Sequence, residues 1–368
     1  MKKIIDKINV IILSGIVLVL TIVSVIAPDK EFSDKENRVL NSMPKFTYDK
    51  LFSGEYTTAL GKYIADQFPL RDKFVGVKAY SELAQNKGEN NGVVFTKEAL
   101  VPRPEADVDR LEENLIVIDE FARENGLDVT VAPIPRTADV FAEYLPLTYP
   151  ADNDFLIWQK LYSKTQNKEF TLADLYSILC ESNAYYRTDH HYTSKGAFIA
   201  YTELGKYLGY APEKEDYFNI EEVADDFSGT SMRSSGFYLY EKDSIHLYRY
   251  EGDETYVVKA DGKEIDLYDL SKLNTTDKYA VFLGGNHARV DITDKDKKRE
   301  RLLIVRDSFA DSLVPFLAMH FDITLIDLRY YTDSIATLCK EEKIEKVLIL
   351  ESIEELATAK NLSYLRMK

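Results

Sequence analysis

The sequence has little cysteine and no basic run, and each shortage excludes a class of protein. Cys180 and Cys339 are its only cysteines, and they match no metal-ligand spacing. They are predicted to be two buried thiols or, if the chain is exported, one disulfide. The net charge is -16, and no run of Lys and Arg forms a basic patch that would offset it. Because such a chain repels phosphate backbones, nucleic acid is not an expected partner.

One long uncharged run stands at the N-terminus. Residues 8–27 carry no charge and follow three lysines, and twenty such residues suffice for a helix to cross a membrane. The lysines favour a cytoplasmic N-terminus, so we expect the chain after Pro28 to lie outside the cytoplasm. A cleaved signal peptide is the alternative, but proline directly after the cleavage point disfavours it. Residues 1–28 are therefore predicted to form a cytoplasmic stub and a single-pass anchor in the cell membrane.

The next segment, residues 29–92, is polar at first and then apolar at helical spacing. The helical pattern runs from Tyr56 to a break at Pro69. We predict a juxtamembrane linker followed by a helical spacer.

Residues 93–368 show the pattern of an α/β domain. Helical patterns alternate with apolar runs of strand length, and strands that are apolar throughout are typical of a parallel sheet covered on both faces. In residues 236–292, apolar and polar residues alternate between turn signals, which predicts a small antiparallel β insertion. The predicted helices are 108–125, 156–166, 309–320 and 334–343, and the strands are 127–132, 302–305, 323–326 and 347–350.

A first candidate for chemistry is the segment Thr188-Asp189-His190-His191, in a loop before a predicted helix. Acyl transfer needs a base and a carboxylate that orients it, and Asp189 and His191 can supply both. A hydrogen-bonded structural loop is one alternative. A manganese, zinc or iron site is another, but it needs further Asp-rich loops that the sequence does not offer. No metal or other cofactor is therefore expected.

A second candidate is Ser308, which follows a buried strand and precedes a helix. A serine in such a turn presents its hydroxyl at the carboxyl edge of a parallel sheet, where ligands bind. The following helix directs N–H groups towards a developing oxyanion. The alternative is an ordinary helix cap, because Asp-Ser is a common pairing there.

Two further segments are expected near the same edge. Gly285 and Asn286 follow an apolar run, and they would allow close backbone approach and donation to an oxyanion. A hairpin turn is the alternative for this pair. Arg329 and Tyr330 follow the next parallel strand and are predicted to line the site.

In this order, the segments resemble the DHHW family, which is similar to the alginate O-acetyltransferases and more distantly to SGNH hydrolases. The resemblance implies an SGNH-hydrolase-like, flavodoxin-like sheet flanked by helices. It also implies a circular permutation, because the Asp-x-His block precedes the Ser block. The motifs are S-D-K-E-N-R-V-L (33–40), D-Q-F-P-L-R (66–71), T-D-H-H-Y-T (188–193), F-S-G-T (227–230), L-G-G-N-H (283–287) and R-D-S-F (306–309).

By this resemblance, Ser308 is the nucleophile, His191 the general base and Asp189 its orienting carboxylate. Tyr192 stands where the family has tryptophan, so we expect it to pack in the core or to face a sugar. Arg306 stands where SGNH enzymes have the glycine of Gly-Asp-Ser.

The resemblance also implies the function. An extracytoplasmic O-acetyltransferase would move acetyl through an ester on Ser308 onto a hydroxyl of an exopolysaccharide or cell-wall glycan. A membrane-bound O-acyltransferase would supply the acetyl group across the membrane. The alternatives are an esterase that uses the same triad and a non-catalytic glycan-binding subunit of an export complex.

Overall fold

The structure is a computed structural model that describes residues 2–33, 38–103, 110–147, 149, 152–165 and 168–367. Some predictions fall outside these residues. They concern positions 34–37 of the first motif, Val108 at the start of one predicted helix, and residue 166 at the end of another.

Helices and strands alternate along most of the chain. The α-helices among the described residues are α1 (Lys2–Ile26), α2 (Tyr48–Phe52), α3 (Glu55–Gln67), α4 (Arg71–Ala84), α5 (Leu111–Asn125), α6 (Thr137–Val140), α7 (Asp152–Lys164), α8 (Leu175–Ser182), α9 (Ser194–Leu208), α10 (Thr230–Ser235), α11 (Ala310–Leu317), α12 (Ile335–Glu342) and α13 (Ile353–Thr358). Short 3-10 helices cover Ala142–Tyr144, Glu215–Tyr217, Leu270–Asn274, Lys278–Val281 and Asn361–Arg366.

The strands are short at the N-terminus and longer in the second half of the chain. They are β1 (Phe32–Ser33), β2 (Arg38–Val39), β3 (Glu89–Asn90), β4 (Val93–Phe95), β5 (Leu100–Pro102), β6 (Asp128–Ile134), β7 (Phe170–Leu172), β8 (Asn219–Phe227), β9 (Asp243–Arg249), β10 (Tyr256–Ala260), β11 (Lys263–Ile265), β12 (Arg289–Asp294), β13 (Glu300–Arg306), β14 (Phe321–Ile326) and β15 (Lys346–Ser352).

The central sheet has the strand order β11-β10-β12-β14-β13-β15-β6-β7. Strands β14, β13, β15, β6 and β7 are mutually parallel. Along β13, Leu302 and Ile304 pack into one apolar cluster, whereas Leu303 and Val305 pack into another. Both faces of the strand are thus buried, which explains why its sequence is apolar throughout.

The predicted antiparallel insertion joins the central sheet instead of forming a separate small one. Strand β12 pairs antiparallel with β14, and β10 and β11 continue outward from it. Strand β9 pairs with β8, which begins before the predicted boundary. Strands β3, β4 and β5 form an antiparallel sheet of their own, and β1 pairs antiparallel with β2.

The chain divides into two compact units. One contains Met1–Lys87 and Arg233–Tyr238, and the other contains Gly88–Met232 and Leu239–Lys368. The second unit holds the whole central sheet. In the first, the segment Lys7–Ile26 of α1 is long and apolar enough to cross a membrane, with a mean hydropathy of 2.7, although a signal sequence would meet the same criterion.

The two cysteines are free thiols. Cys339 is buried and Cys180 is partly buried. Burial raises the pKa of both thiols, that of Cys339 to about 12. The structure therefore agrees with the prediction of two thiols and not with the prediction of a disulfide, although only Cys339 is fully buried.

Candidate active site

The turn that carries Ser308 lies at the carboxyl edge of the parallel strands. It connects the end of β13 to the start of α11. Asp307 fixes this turn, because its Oδ1 accepts the N–H of Phe309 at 3.0 Å and its Oδ2 accepts the N–H of Ser352 at 2.7 Å. The second of these bonds ties the serine turn to the end of the neighbouring strand β15.

The loop that carries Asp189 and His191 is fixed on both sides. The N–H of Tyr186 donates to the His191 carbonyl at 3.1 Å, and the N–H of Thr193 donates to the Ala184 carbonyl at 2.8 Å. Thr193 also caps α9, since its hydroxyl accepts the N–H of Gly196. These hydrogen bonds hold the loop in one conformation directly before α9.

Asp189, His191 and Ser308 form one hydrogen-bonded series. His191 Nδ1 lies 2.6 Å from Asp189 Oδ1, and His191 Nε2 lies 2.7 Å from Ser308 Oγ. The base and the nucleophile are 117 residues apart in the chain. In this arrangement the imidazole can accept the serine proton while the carboxylate orients the ring.

The Asp189 carboxylate is buried but well supplied with donors. Its Oδ1 also accepts the N–H of His191 at 3.1 Å, and its Oδ2 accepts the N–H of Thr230 at 2.6 Å. Burial alone would raise the pKa of Asp189. The neighbouring His190 and His191 and the hydrogen bonds outweigh it and hold that pKa well below its ordinary value. The group is therefore a carboxylate at neutral pH.

The same loop brings together three potential metal ligands. One ligand atom from each of Asp189, His190 and His191 lies within 4.8 Å of the others. However, Asp189 Oδ1 and His191 Nδ1 are only 2.6 Å apart. Two ligands of a tetrahedral zinc ion, each about 2.0–2.1 Å from the metal, lie more than about 3 Å apart. The geometry is that of a hydrogen-bonded pair.

The F-S-G-T motif, for which no role was predicted, packs against Asp189. The N–H of Gly229 donates to Thr188 Oγ1 at 3.0 Å, and the next residue donates to Asp189. A Cβ on Gly229 would lie 2.3 Å from Asp189 Cβ and 2.5 Å from the Thr188 carbonyl oxygen. Only glycine allows this turn to approach the Asp189 backbone so closely.

Aromatic rings surround the histidine. Tyr279 stacks on His191 with ring centroids 4.0 Å apart and an interplanar angle of 9°. The Tyr279 hydroxyl donates to the Ser308 carbonyl at 3.1 Å and lies 3.1 Å from Ser312 Oγ. Phe309 packs its ring edge-on against His191 at 5.0 Å. Sequence reasoning missed Tyr279, and its only signal is its place just before the Gly-Gly-Asn segment.

Of the two roles expected for Tyr192, packing in the core and facing a sugar, the structure shows the first. Its side chain is fully buried, and its hydroxyl donates to the Phe309 carbonyl at 2.5 Å. A sugar-facing role is wrong for this residue, because no part of the ring reaches solvent. Tyr192 instead holds the backbone next to the nucleophile.

Asn286, Arg329 and Tyr330 come together beside Asp327. Arg329 Nε and Nη2 form a two-pronged ion pair with Asp327, and Nη2 lies 3.4 Å from Asn286 Oδ1. The Arg329 guanidinium lies 5.5 Å from the centroid of the exposed Tyr330 ring. Gly285 lies next to Asn286 with φ +114°, a conformation that suits glycine. Within the described part of the chain, none of these side chains hydrogen-bonds to Ser308.

Arg306 lies beneath this edge and is fully buried. Its Nη1 is 3.2 Å from Asp311 Oδ1 and 3.8 Å from Asp327 Oδ2. Burial raises the pKa of Asp311 to about 7, and Arg306 counteracts it. The arginine at the glycine position of SGNH enzymes is therefore accommodated by two acidic side chains under the sheet edge.

A cavity of about 610 Å³ lies on the other side of the DHH loop. Its walls include Tyr185, Arg187, Lys195 and His246, but neither His191 nor Ser308 lines it. Because it does not reach the hydrogen-bonded series, we do not place the reacting substrate there.

Comparisons with known proteins concern the family and the fold. A family model described as DHHW protein matches residues 153–326, which include Asp189, His191 and Ser308. The resemblance to the DHHW family is therefore confirmed. A search of curated protein sequences finds no match for the chain.

Two solved structures are similar over most of the chain. A DHHW family protein from Eubacterium siraeum is 20% identical, with a TM-score of 0.62 over 76% of this chain and 96% of that one. PatB1 from Bacillus cereus, solved with a sulfonyl adduct, is 19% identical, with a TM-score of 0.60 over 75% of this chain and 99% of that one. At such identities the likeness shows a shared α/β fold.

Proposed function

We propose that this protein is an extracytoplasmic O-acetyltransferase that acts on an exopolysaccharide or a cell-wall glycan. The observation that carries the proposal is the hydrogen-bonded series from Asp189 through His191 to Ser308, with bonds of 2.6 and 2.7 Å. Resemblance to the alginate O-acetyltransferases supports acetyl as the group and a glycan hydroxyl as its acceptor.

The reaction has two halves that use the same three residues. In the first, His191 Nε2 accepts the proton of Ser308 Oγ as that oxygen attacks the acetyl carbonyl. The proton then passes to the leaving group, and an acetyl ester remains on Ser308. In the second, His191 accepts the proton of a sugar hydroxyl, which attacks the ester and frees Ser308. The Asp189 carboxylate stabilises the imidazolium in both halves.

Each half needs donors for the developing oxyanion. Among the described residues, the N–H of Ser308 donates to no protein group, so it is available for this role. Gly285 and Asn286 remain our candidates for further donors, and Arg329 and Tyr330 remain candidates for contact with the substrate. Removing their donors would lower turnover without changing the triad bonds.

We further propose that the sheet is a circularly permuted flavodoxin-like sheet. Numbered from β13, which precedes the nucleophile, the five parallel strands lie in the order 2-1-3-4-5, which is the flavodoxin-like order. Strands 4 and 5 of that order are β6 and β7, the first of the five in this chain. The domain from residue 93 to 368 would then be the acyltransferase domain.

The N-terminal helix α1 would anchor this domain in the cell membrane as a single-pass segment, with residues 29–92 as linker and spacer. By the same resemblance, a membrane-bound O-acyltransferase would pass acetyl groups across the membrane to Ser308. The acceptor would be a polysaccharide on the outer side.

A test of the chemistry uses the full chain in detergent and an activated acetyl ester. Ser308→Ala and His191→Ala should each lower release of the leaving group by at least about a thousandfold, because the first removes the attacking oxygen and the second removes the base that accepts its proton. Ser271→Ala, which changes an exposed serine with a local hydrogen bond, is the matched control. A sulfonyl fluoride should modify Ser308 and no other serine, as read by peptide mass spectrometry.

Equal rates in the wild type and both triad variants would refute the catalytic proposal and leave a glycan-binding subunit. Acetyl transfer to an added oligosaccharide would distinguish a transferase from an esterase, which releases acetate even when the acceptor is present.

A further inference from the structure

The unit that contains α1 also exposes large apolar side chains after that helix, and these are close together in the sequence. Helix α2 has no buried residue, and α3 buries only Asp66. Phe52 is 86% exposed and Tyr48 is 72% exposed. Scattered apolar residues are normal on a protein surface, but a contiguous group marks a site that something covers. We call this group the apolar patch; its members are Met43, Phe46, Tyr48, Leu51 and Phe52.

Ring contacts join part of the apolar patch to the start of α3. Phe46 packs edge-on against Tyr48 with centroids 5.5 Å apart, and edge-on against Tyr56 at 5.2 Å. These rings gather on one surface formed by α2 and the first turn of α3. The rings thus contact each other while leaving much of their area in solvent.

The chain that leaves α1 is fixed to the same unit within a few residues. Tyr63 donates to Asp29 Oδ1 at 2.8 Å. Gln67 accepts the N–H of Lys30 at 2.9 Å and donates to the Lys30 carbonyl at 2.9 Å. Because α1 ends at Ile26, this point lies four residues beyond the candidate membrane span.

The patch begins at almost the same point. Gln67 Nε2 also donates to the carbonyl of Asn41, at 3.3 Å, so Lys30 and Asn41 meet at one nitrogen atom. Met43 follows two residues later. Across these two hydrogen bonds and two further residues, at no more than about 3.6 Å per residue, the Met43 backbone lies within roughly 15 Å of Lys30.

We propose that the apolar patch rests in the interfacial layer of the membrane that α1 spans. That layer extends roughly 5–8 Å beyond the hydrocarbon on each side. Tyrosine and other amphipathic rings are enriched there, and apolar side chains that enter it leave water. The patch would act as a second membrane contact of the unit that contains α1. The inference rests on α1 as an anchor and does not depend on the triad chemistry.

The test uses the full chain reconstituted in nanodiscs of phosphatidylcholine and phosphatidylglycerol. Phe52→Cys is labelled with a polarity-sensitive fluorophore, and the control is Leu147→Cys, at a fully exposed leucine of the second unit. The native thiols have raised pKa values and should react slowly, and wild-type protein gives the background. A label at Ile16→Cys in α1 reports whether the helix spans the bilayer.

Emission from position 52 should shift to the blue and fall at least twofold when headgroup-proximal brominated lipid is included. Emission from position 147 should match that of the label in water. A water-like signal at position 52, with the label at position 16 quenched, would overturn the proposal.

A blue shift at position 52 without quenching by brominated lipid would also overturn it, because the cover would then be protein, such as a second copy of this chain. Turnover of the acetyl ester by the same nanodisc samples tests the proposed function separately. It should be the same for the labelled and the wild-type protein.

Discussion

His191 is held by ring contacts as well as by hydrogen bonds. Tyr279 lies flat against its ring, and the Tyr279 hydroxyl donates to the carbonyl of the nucleophile's own residue. Tyr279 therefore contacts both the proposed base, His191, and the backbone of the proposed nucleophile, Ser308, and helps to fix the distance between them. A catalytic hydrogen bond needs such support, because small misplacement of reacting groups costs much of the rate.

Tyr279→Phe should keep the stacking but remove the hydrogen bond to Ser308. Loss of one buried hydrogen bond that costs about 1–1.5 kcal/mol corresponds to roughly a tenfold fall in kcat, with little change in KM. Tyr279→Leu removes the stacking as well and should lower kcat further. The measurement is steady-state turnover of the activated acetyl ester, alongside the thermal midpoint.

Tyr162→Phe, at an exposed tyrosine, is the matched control. A Tyr279→Phe variant with the kcat of the wild type would show that the hydroxyl plays no part in positioning Ser308.

Residue types and order predicted Asp189, His191 and Ser308, because acid, base and nucleophile are limited to few side chains. Tyr279 and Gly229 could not be predicted in the same way. A tyrosine under an imidazole and a glycine against a carboxylate are defined by contacts between distant segments, and neither leaves a periodic or compositional signal.

At the scale of elements, the short turns carry more of the site than the helices and strands do. The turn before α10 brings Gly229 against Asp189, and its N–H groups fix the carboxylate and its neighbour Thr188. Gly229 lies so close to the Asp189 backbone that a methyl group added at Gly229 does not fit.

Gly229→Ala should therefore displace the turn or Asp189. Such overpacking costs about 1–3 kcal/mol of folding stability, and we expect turnover to fall at least tenfold. Gly88→Ala, where an added Cβ meets nothing within 4 Å, is the control and should change neither quantity. The measurements are the thermal midpoint and acetyl ester turnover, and an alanine variant with both values unchanged would contradict the close approach.

The strands show where sequence patterns reach their limit. Apolar runs predicted β13, β14 and β15, because burial on both faces leaves only apolar residues. Alternation in 236–292 indicated antiparallel strands, but it specifies which side chains share a face and not which strand is the neighbour. The pairing of β12 with β14 therefore could not be predicted from the sequence.

At the scale of the whole molecule, stability should depend on pH through His320. Its ring stacks on Tyr210 with centroids 4.4 Å apart, and Nε2 lies 2.9 Å from the Tyr201 hydroxyl. Burial, with a contribution from Arg299, lowers the pKa of His320 to about 4. In the unfolded chain the pKa is about 6.5.

Between these two values the unfolded chain binds a proton that the folded chain does not. Stability is therefore lost as pH falls from about 6.5 towards about 4. Because the ring is only partly buried and solvent screens its charge, we expect this group to remove at most about 1 kcal/mol between pH 7.5 and pH 5. His320→Gln, which keeps a hydrogen-bond acceptor, should lose less stability over that range, as measured by thermal midpoints at both pH values. His246→Gln, at a partly exposed histidine, is the control, and parallel pH dependence in all three proteins would contradict the effect of burial.

Strand order also determines when the proposed active site can form during synthesis of a new chain. Strand β6 pairs with β15, which the ribosome makes roughly 200 residues later, a delay of about 10–40 s at ordinary rates of synthesis. During that interval β6 lacks its pairing with β15, and its apolar side chains must be shielded from aggregation. Because Asp307 also accepts a hydrogen bond from Ser352 at the end of β15, the turn that carries Ser308 is fixed only after Ser352 has been made.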